Sequence, residues 1–183
     1  MKINRESWIF VTGQADTGKT YWIKRHLVTF PANRVYIYDF NRNDYQEFAK
    51  TQHLWQVNFA SQREIEEFLH IVYEQGNCFC ILEEADNYLL YPSEFIRQFV
   101  NTARNRGIGC IVNAKRAKAC QPVYRTRFTH LVLFRCIIPE DIDYLESWAG
   151  TGKGSLSLLR GLEQGQHVIV DLTHQEISEV KKL

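Results

Sequence analysis

Residues 13 to 20 read Gly-Gln-Ala-Asp-Thr-Gly-Lys-Thr, a complete match to the phosphate-loop pattern G-x-x-x-x-G-K-[ST], just after the apolar run Trp8-Ile9-Phe10-Val11. The chemistry of that pattern is phosphate binding. Gly13 and Gly18 can take backbone angles closed to residues with a Cβ, so that successive N–H groups turn inward and form a concave nest for phosphate oxygens. Lys19 adds a positive charge near the β and γ phosphates, and the hydroxyl of Thr20 suits a Mg2+ ligand. The helix-like TYWIKRHL that follows points its positive dipole end at the same anion. The expected nucleotide-binding set is therefore Gly13, Gln14, Ala15, Asp16, Thr17, Gly18, Lys19 and Thr20.

A phosphate loop alone fits kinases, switches and ATPases alike. A second feature narrows the chemistry: the apolar run Cys78-Phe79-Cys80-Ile81-Leu82 ends in two carboxylates, Glu83 and Glu84. Acidic groups abutting such a run are costly to leave without a partner. One of them could hold the Mg2+ shell while its neighbour, on the opposite side of the chain, orients water toward the γ-phosphate. A kinase transfers to a bound acceptor and does not need that base.

These residues must be positioned by elements whose order is legible. Val35 to Tyr38 reads as a second strand ending at Asp39, followed by a polar helix-like NDYQEFAK and a short strand from Leu54 to Phe59. Ser61-Gln62-Arg63-Glu64 is a capping box opening a helix with Ile65, Phe68, Ile71 and Val72 as its apolar positions. Pro92-Ser93 starts the next helix. Cys110 to Val112 and Leu131 to Phe134 are buried strands, separated by a basic loop with a short helical turn. A helix from Pro139 through Trp148, the segment Leu156 to Leu162 and a strand His167 to Val170 complete the order, and Gly150-Thr151-Gly152-Lys153-Gly154 reads as a flexible turn. Alternating strands and helices predict an α/β fold with a mostly parallel sheet covered by helices on both faces. With 183 residues the chain suits one domain, 1–183.

Composition narrows the setting. With 45% apolar and 23% charged residues and no apolar run near the length of a bilayer span, no membrane segment is expected. The start MKINRESW carries no apolar signal segment, so a cytoplasmic location is expected. The five cysteines read as reduced core residues, because Cys78 and Cys80 are spaced neither as a redox pair nor as a zinc knuckle. Net charge is only +1, yet between Phe95 and Pro139 there are nine Arg and Lys residues and no acid. Such a block meets a polyanion, inserts arginines into a nucleotide site, or is a solvated basic face. Tyr21 and Trp22 read as helix-packing residues.

Four segments together resemble the FtsK/HerA superfamily of additional-strand, catalytic-glutamate (RecA-like, ASCE) P-loop ATPases, especially the small genome-packaging ATPases of tailless icosahedral DNA viruses. They are VTGQADTGKT, CILEEADNYL, ARNRGIGCIVNAKR and THLVLFRCIIPEDIDYL, which together reach from about Trp8 to Leu145. The resemblance implies ATP and Mg2+ as ligands, with Lys19 and Thr20 as phosphate and metal contacts, Glu83 as the metal-side acid and Glu84 as the catalytic base. The family's usual first acid is Asp, so Glu83 departs from it and leaves the split of roles between the two glutamates open. Arg104, with Arg106 as the alternative, stands where the family places an arginine finger that reaches a neighbouring subunit. Asn113 is the preferred polar sensor and Lys115 the alternative. Such a finger implies a ring, hexameric in the family.

The implied function is an ATP-driven DNA translocase packaging a viral genome, with a capsid vertex protein as partner and sequence-independent contacts to the DNA backbone. If viral, it would work in the host cytoplasm and could stay at a virion vertex. Arg116 and Lys118 are candidates for phosphate of either nucleotide or DNA, and Arg42, Lys118, Arg125 and Arg127 for DNA-facing loops. A small-molecule kinase, a phage assembly ATPase and a nucleotide-controlled binding module are the competing readings.

Overall fold

The computed structural model describes residues 6–27, 29–40, 44–50, 52–57, 61–88 and 92–183. Six strands run parallel: β1 (Trp8–Thr12), β2 (Val35–Asp39), β3 (His53–Gln56), β4 (Phe79–Leu82), β5 (Gly109–Ala114) and β6 (His130–Leu133). β7 (Gln166–Asp171) runs antiparallel to β6 and pairs with the short β8 (Glu176–Ile177) and β9 (Lys181–Lys182). The order across the sheet is β3-β2-β4-β5-β1-β6-β7-β8. One consequence matters for the site: β5 is inserted between the phosphate-loop strand β1 and the strand β4 that ends in the two glutamates.

The parallel strands are apolar at nearly every position because both faces are covered. Side chains alternate across a strand, so Trp8 and Phe10 enter one core while Ile9 and Val11 enter the other. The first core is closed by α2 (Gln62–Gln75), α3 (Glu94–Thr102) and α5 (Pro139–Ala149), and the second by α1 (Lys19–Leu27). A one-turn helix α4 (Pro122–Arg125) fills the basic segment before β6.

Helix boundaries follow their local signals. Ser61 caps α2 by accepting the Glu64 N–H at 3.1 Å, and Gly76 closes it at φ 56°. Ser93 caps α3 in the same way, accepting the Ile96 N–H. The buried stripe of α2 is Ile65, Phe68, Leu69 and Val72; Ile71, expected to pack, is exposed. Six residues on from Ile65 is 600°, well off a stripe that repeats at three and four residues. NDYQEFAK forms only a single 3-10 turn at Gln46–Phe48 within the described residues. The strand expected from Leu54 to Phe59 is His53–Gln56, with 58–60 outside the described residues. All five cysteines are buried free thiols. The Gly150 segment is a turn, with Gly150 closing α5 at φ 67°. No described helix is long and apolar enough to cross a membrane.

Candidate nucleotide site

The chain leaves the carboxyl end of β1 through three residues at positive φ: Gly13 at 149°, Asp16 at 58° and Gly18 at 105°. Packing reinforces the need for glycine. A Cβ on Gly13 would stand 2.6 Å from Phe134 Cβ, and one on Gly18 2.7 Å from Leu183 Cδ1. Among the described residues the N–H groups of Ala15, Asp16, Thr17 and Gly18 meet no protein acceptor, as an anion nest requires. Gln14 differs from expectation, because its N–H already donates to the Arg135 carbonyl at 2.9 Å. Its own carbonyl is used inside the loop, accepting from Thr17 Oγ1 at 2.8 Å and Lys19 Nζ at 2.7 Å.

Lys19 is buried, and its ammonium also donates to the Gly13 carbonyl at 2.9 Å. An ammonium has three N–H groups, so one is left for phosphate. Burial lowers the Lys19 pKa, and the charges of Glu83 and then Glu84 oppose that shift. Above the loop opens a cavity of about 470 Å3, walled on one side by Gly18, Lys19 and Thr20 and on the other by Glu84, Asn113 and Lys115.

The two glutamates end β4 in different environments. Glu83 is 1% exposed and lies behind the cavity wall, where Oε2 accepts from Asn113 Nδ2 at 2.5 Å and Oε1 accepts from the Tyr45 hydroxyl. Burial pushes its pKa up to about 7, with the hydrogen bonds from Tyr45 and then Asn113 opposing. Glu84 sits in the left-handed region at φ 50° and ψ 45°, a conformation that costs a non-glycine residue about 1–2 kcal/mol. The turn sends its side chain into the cavity wall, where it pairs with Lys115 Nζ at 2.9 Å. That hydrogen bond raises the Lys115 pKa. Asp86 fastens the same corner, accepting the backbone N–H groups of Lys115 at 2.6 Å and Arg116 at 2.9 Å.

Asn113, on β5 between β4 and the phosphate-loop strand, lines the cavity. Its Nδ2 is spent on Glu83, while Oδ1 is buried with no hydrogen-bond partner among the described residues. The orphaned Asn113 Oδ1 and the Thr20 hydroxyl line the cavity as oxygen donors of the kind a hydrated Mg2+ shell uses, with the Glu83 carboxylate behind them hydrogen-bonded at both oxygens. No group of three His, Cys, Asp or Glu among the described residues could hold a metal by itself.

The predicted arginines lie elsewhere. Arg104 and Arg106 occupy the turn before β5, at the end of the sheet opposite the phosphate loop. Arg104 is exposed, and its guanidinium makes no hydrogen bond or ion pair among the described residues. Arg106 donates from Nη2 to the Glu74 carbonyl, with its guanidinium 4.6 Å from the Tyr73 ring centroid. The geometry favours Arg104 as the residue able to reach outward. Much of the basic block is internally committed: Arg116 pairs with the buried Asp141 at 2.5 Å, Arg127 donates to Asn101 at 3.1 Å, and Lys118 is exposed. Arg42 lies outside the described residues.

Several wall residues carry no sequence signal. Asp44 and Gln164 line the cavity, and Tyr45 holds Glu83, yet each comes from a segment with no motif. Tyr21, expected to pack beside Trp22, is 60% exposed and lines the cavity, because adjacent helical residues are about 100° apart and only Trp22 faces the core.

No protein-family model matches the chain, and no curated protein matches it. Solved structures do. The genome packaging NTPase B204 from Sulfolobus turreted icosahedral virus 2, in complex with AMPPCP, superposes with a TM-score of 0.80 at 17% identity, over 99% of this chain and 100% of that one. B204 from Sulfolobus turreted icosahedral virus, described as a DNA-packaging ATPase, gives 0.79 at 17% identity, over 99% and 100% of the two chains. VirB4 of Thermoanaerobacter pseudethanolicus gives 0.75 at 9% identity, over 99% and 92%. With its glutamate strand set one strand away from the phosphate loop, the chain has the P-loop NTPase fold that these viral packaging proteins and VirB4 share.

Proposed function

We propose that this chain is an ATP-hydrolysing motor that translocates DNA and packages a viral genome into a preformed capsid. The observation that carries the reading is the convergence of Lys19, Thr20, Glu84 and Asn113 on one cavity, in a fold shared from end to end with B204. In this reading the nest of Ala15 to Gly18 cradles the phosphates, and Lys19 donates its remaining N–H to them. Glu84 orients the attacking water once Lys115 releases it, and Asn113 positions the γ-phosphate side. Thr20 and Glu83 would hold Mg2+, which supplies neutralisation of charge on the phosphate oxygens. Arg104 of a neighbouring subunit completes the charge stabilisation, so the working unit is a ring, six-membered as in the FtsK/HerA superfamily.

Residues 1–183 act as one ATPase domain, supported by the single sheet that carries every site element. The partners are DNA, contacted through its backbone with Lys118 as an exposed candidate, and a capsid vertex protein, with the host cytoplasm as the place of action. The test is steady-state ATP turnover across protein concentration, with and without long double-stranded DNA. DNA-stimulated, cooperative turnover lost in both Glu84→Gln and Arg104→Ala is the expected result. Turnover indifferent to DNA and to Arg104 overturns the motor, and stimulation by a nucleoside or sugar instead identifies a kinase.

A further inference from the structure

A second cavity, of about 660 Å3, opens between α4, the end of α5 and the turn after β7. Its wall contains Arg104 and Arg125, together with Thr129, Trp148 and Thr173. The Arg125 guanidinium lies 3.7 Å from the Tyr144 ring centroid and 5.9 Å from that of Trp148. The guanidinium lies over the Tyr144 face, and its Nε is buried with no hydrogen-bond partner among the described residues, so donor capacity remains for a ligand. This is a preorganised cation, unlike a solvated surface arginine.

Charge and position say what it meets. Among the described residues no carboxylate lines this cleft, whereas the nucleotide cavity carries Asp16, Asp44 and Glu84 beside Lys19 and Lys115 and would add the phosphates of ATP. Arg104 precedes β5 and the nucleotide cavity lies past its other end; six residues at about 3.3 Å each put roughly 20 Å between them, beyond the reach of a side chain. Complementary patches at opposite ends of one subunit make a head-to-tail contact, the type that closes into rings. We propose that this cleft docks on the nucleotide phosphates held by the adjacent copy, and that Arg125 acts on them in trans beside Arg104. Arg125 then faces a neighbouring subunit and is removed from the DNA-contacting candidates. The inference rests on the ring reading above.

The test is complementation between two variants. Arg125→Ala alone should lower turnover at least about tenfold while leaving the fluorescent-nucleotide affinity of dilute subunits unchanged, as expected of a group acting only in the assembled transition state. Lys19→Ala subunits hydrolyse nothing but still offer an intact Arg125. Mixed in equal amounts, they should restore turnover, because about a quarter of randomly assembled head-to-tail interfaces pair an intact phosphate loop with an intact cleft. An Arg104→Ala and Lys19→Ala mixture run in parallel separates the two readings. Rescue there without rescue of Arg125→Ala overturns only the role of Arg125, and rescue in neither overturns the ring. Full activity of Arg125→Ala, or weakened DNA binding with a smaller salt slope and no complementation, also overturns the proposal. Should Arg125→Ala unfold by circular dichroism, Arg125→Met, which keeps the stem over Tyr144, is read in its place.

Discussion

Glu83→Gln should alter the pH dependence of folding stability in nucleotide-free, metal-free protein. Glu83 is fully enclosed and its pKa rises from 4.5 to about 7 on folding, with burial as the dominant cause. The native state therefore binds more protons than the unfolded state across that interval, and stability must fall as pH rises. The contribution is fully present below about pH 4.5 and is lost as pH passes through about 7. A shift of that size corresponds to about 3 kcal/mol at 1.36 kcal/mol per unit. Glutamine keeps both hydrogen bonds, since its carbonyl can accept from Asn113 and its amide can donate to the Tyr45 hydroxyl, but it does not ionise. The assay is urea unfolding in EDTA at pH 5, 6, 7 and 8 for both proteins. Subtracting one series from the other cancels the titrating groups that do not interact with Glu83. The variant should gain on the wild type by about 2–3 kcal/mol between pH 5 and 8. A difference that stays flat with pH would show that the carboxylate is not isolated from solvent, and the argument from burial would fail.

Other perturbations follow from the same geometry. Glu84→Gln should lower ATP turnover by about 100-fold or more while nucleotide binding, read by fluorescence titration, is retained; loss of binding instead would assign Glu84 to the ligand shell. Gly13→Ala forces a Cβ into Phe134 at φ 149°, so it should cost more than about 1 kcal/mol of stability and abolish nucleotide binding, and unchanged binding by calorimetry would refute the packing argument. Ser61→Ala removes the cap of α2 and should cost about 1 kcal/mol in denaturant melts with turnover unaltered, because α2 lies against the core face away from the cavity.

The phosphate loop could be read directly because its eight residues are contiguous and its pattern is carried by their own backbone and side chains. The buried strands, the caps at Ser61 and Ser93 and the reduced cysteines were equally local matters of pattern. What the sequence could not carry is whatever depends on strand order. Inserting β5 between β1 and β4 sets Asn113 against Glu83, thirty residues away, and leaves its Oδ1 without a partner among the described residues at the wall of the nucleotide cavity. The left-handed turn at Glu84, the Tyr45 hydroxyl on Glu83 and the clasp of Asp86 on the end of β5 have no periodicity or motif, since each is a contact between distant segments. Likewise nine basic residues in a row of segments read as one block, but folding divided them. Arg116 was neutralised by Asp141 and Arg106 laid on Tyr73, while Arg104 and Arg125 were gathered into one cleft. Local chemistry pointed to phosphate as the ligand; only tertiary structure decided which charges are buried, paired or exposed, because burial and partner distance, not residue type, set the free energy of a charge.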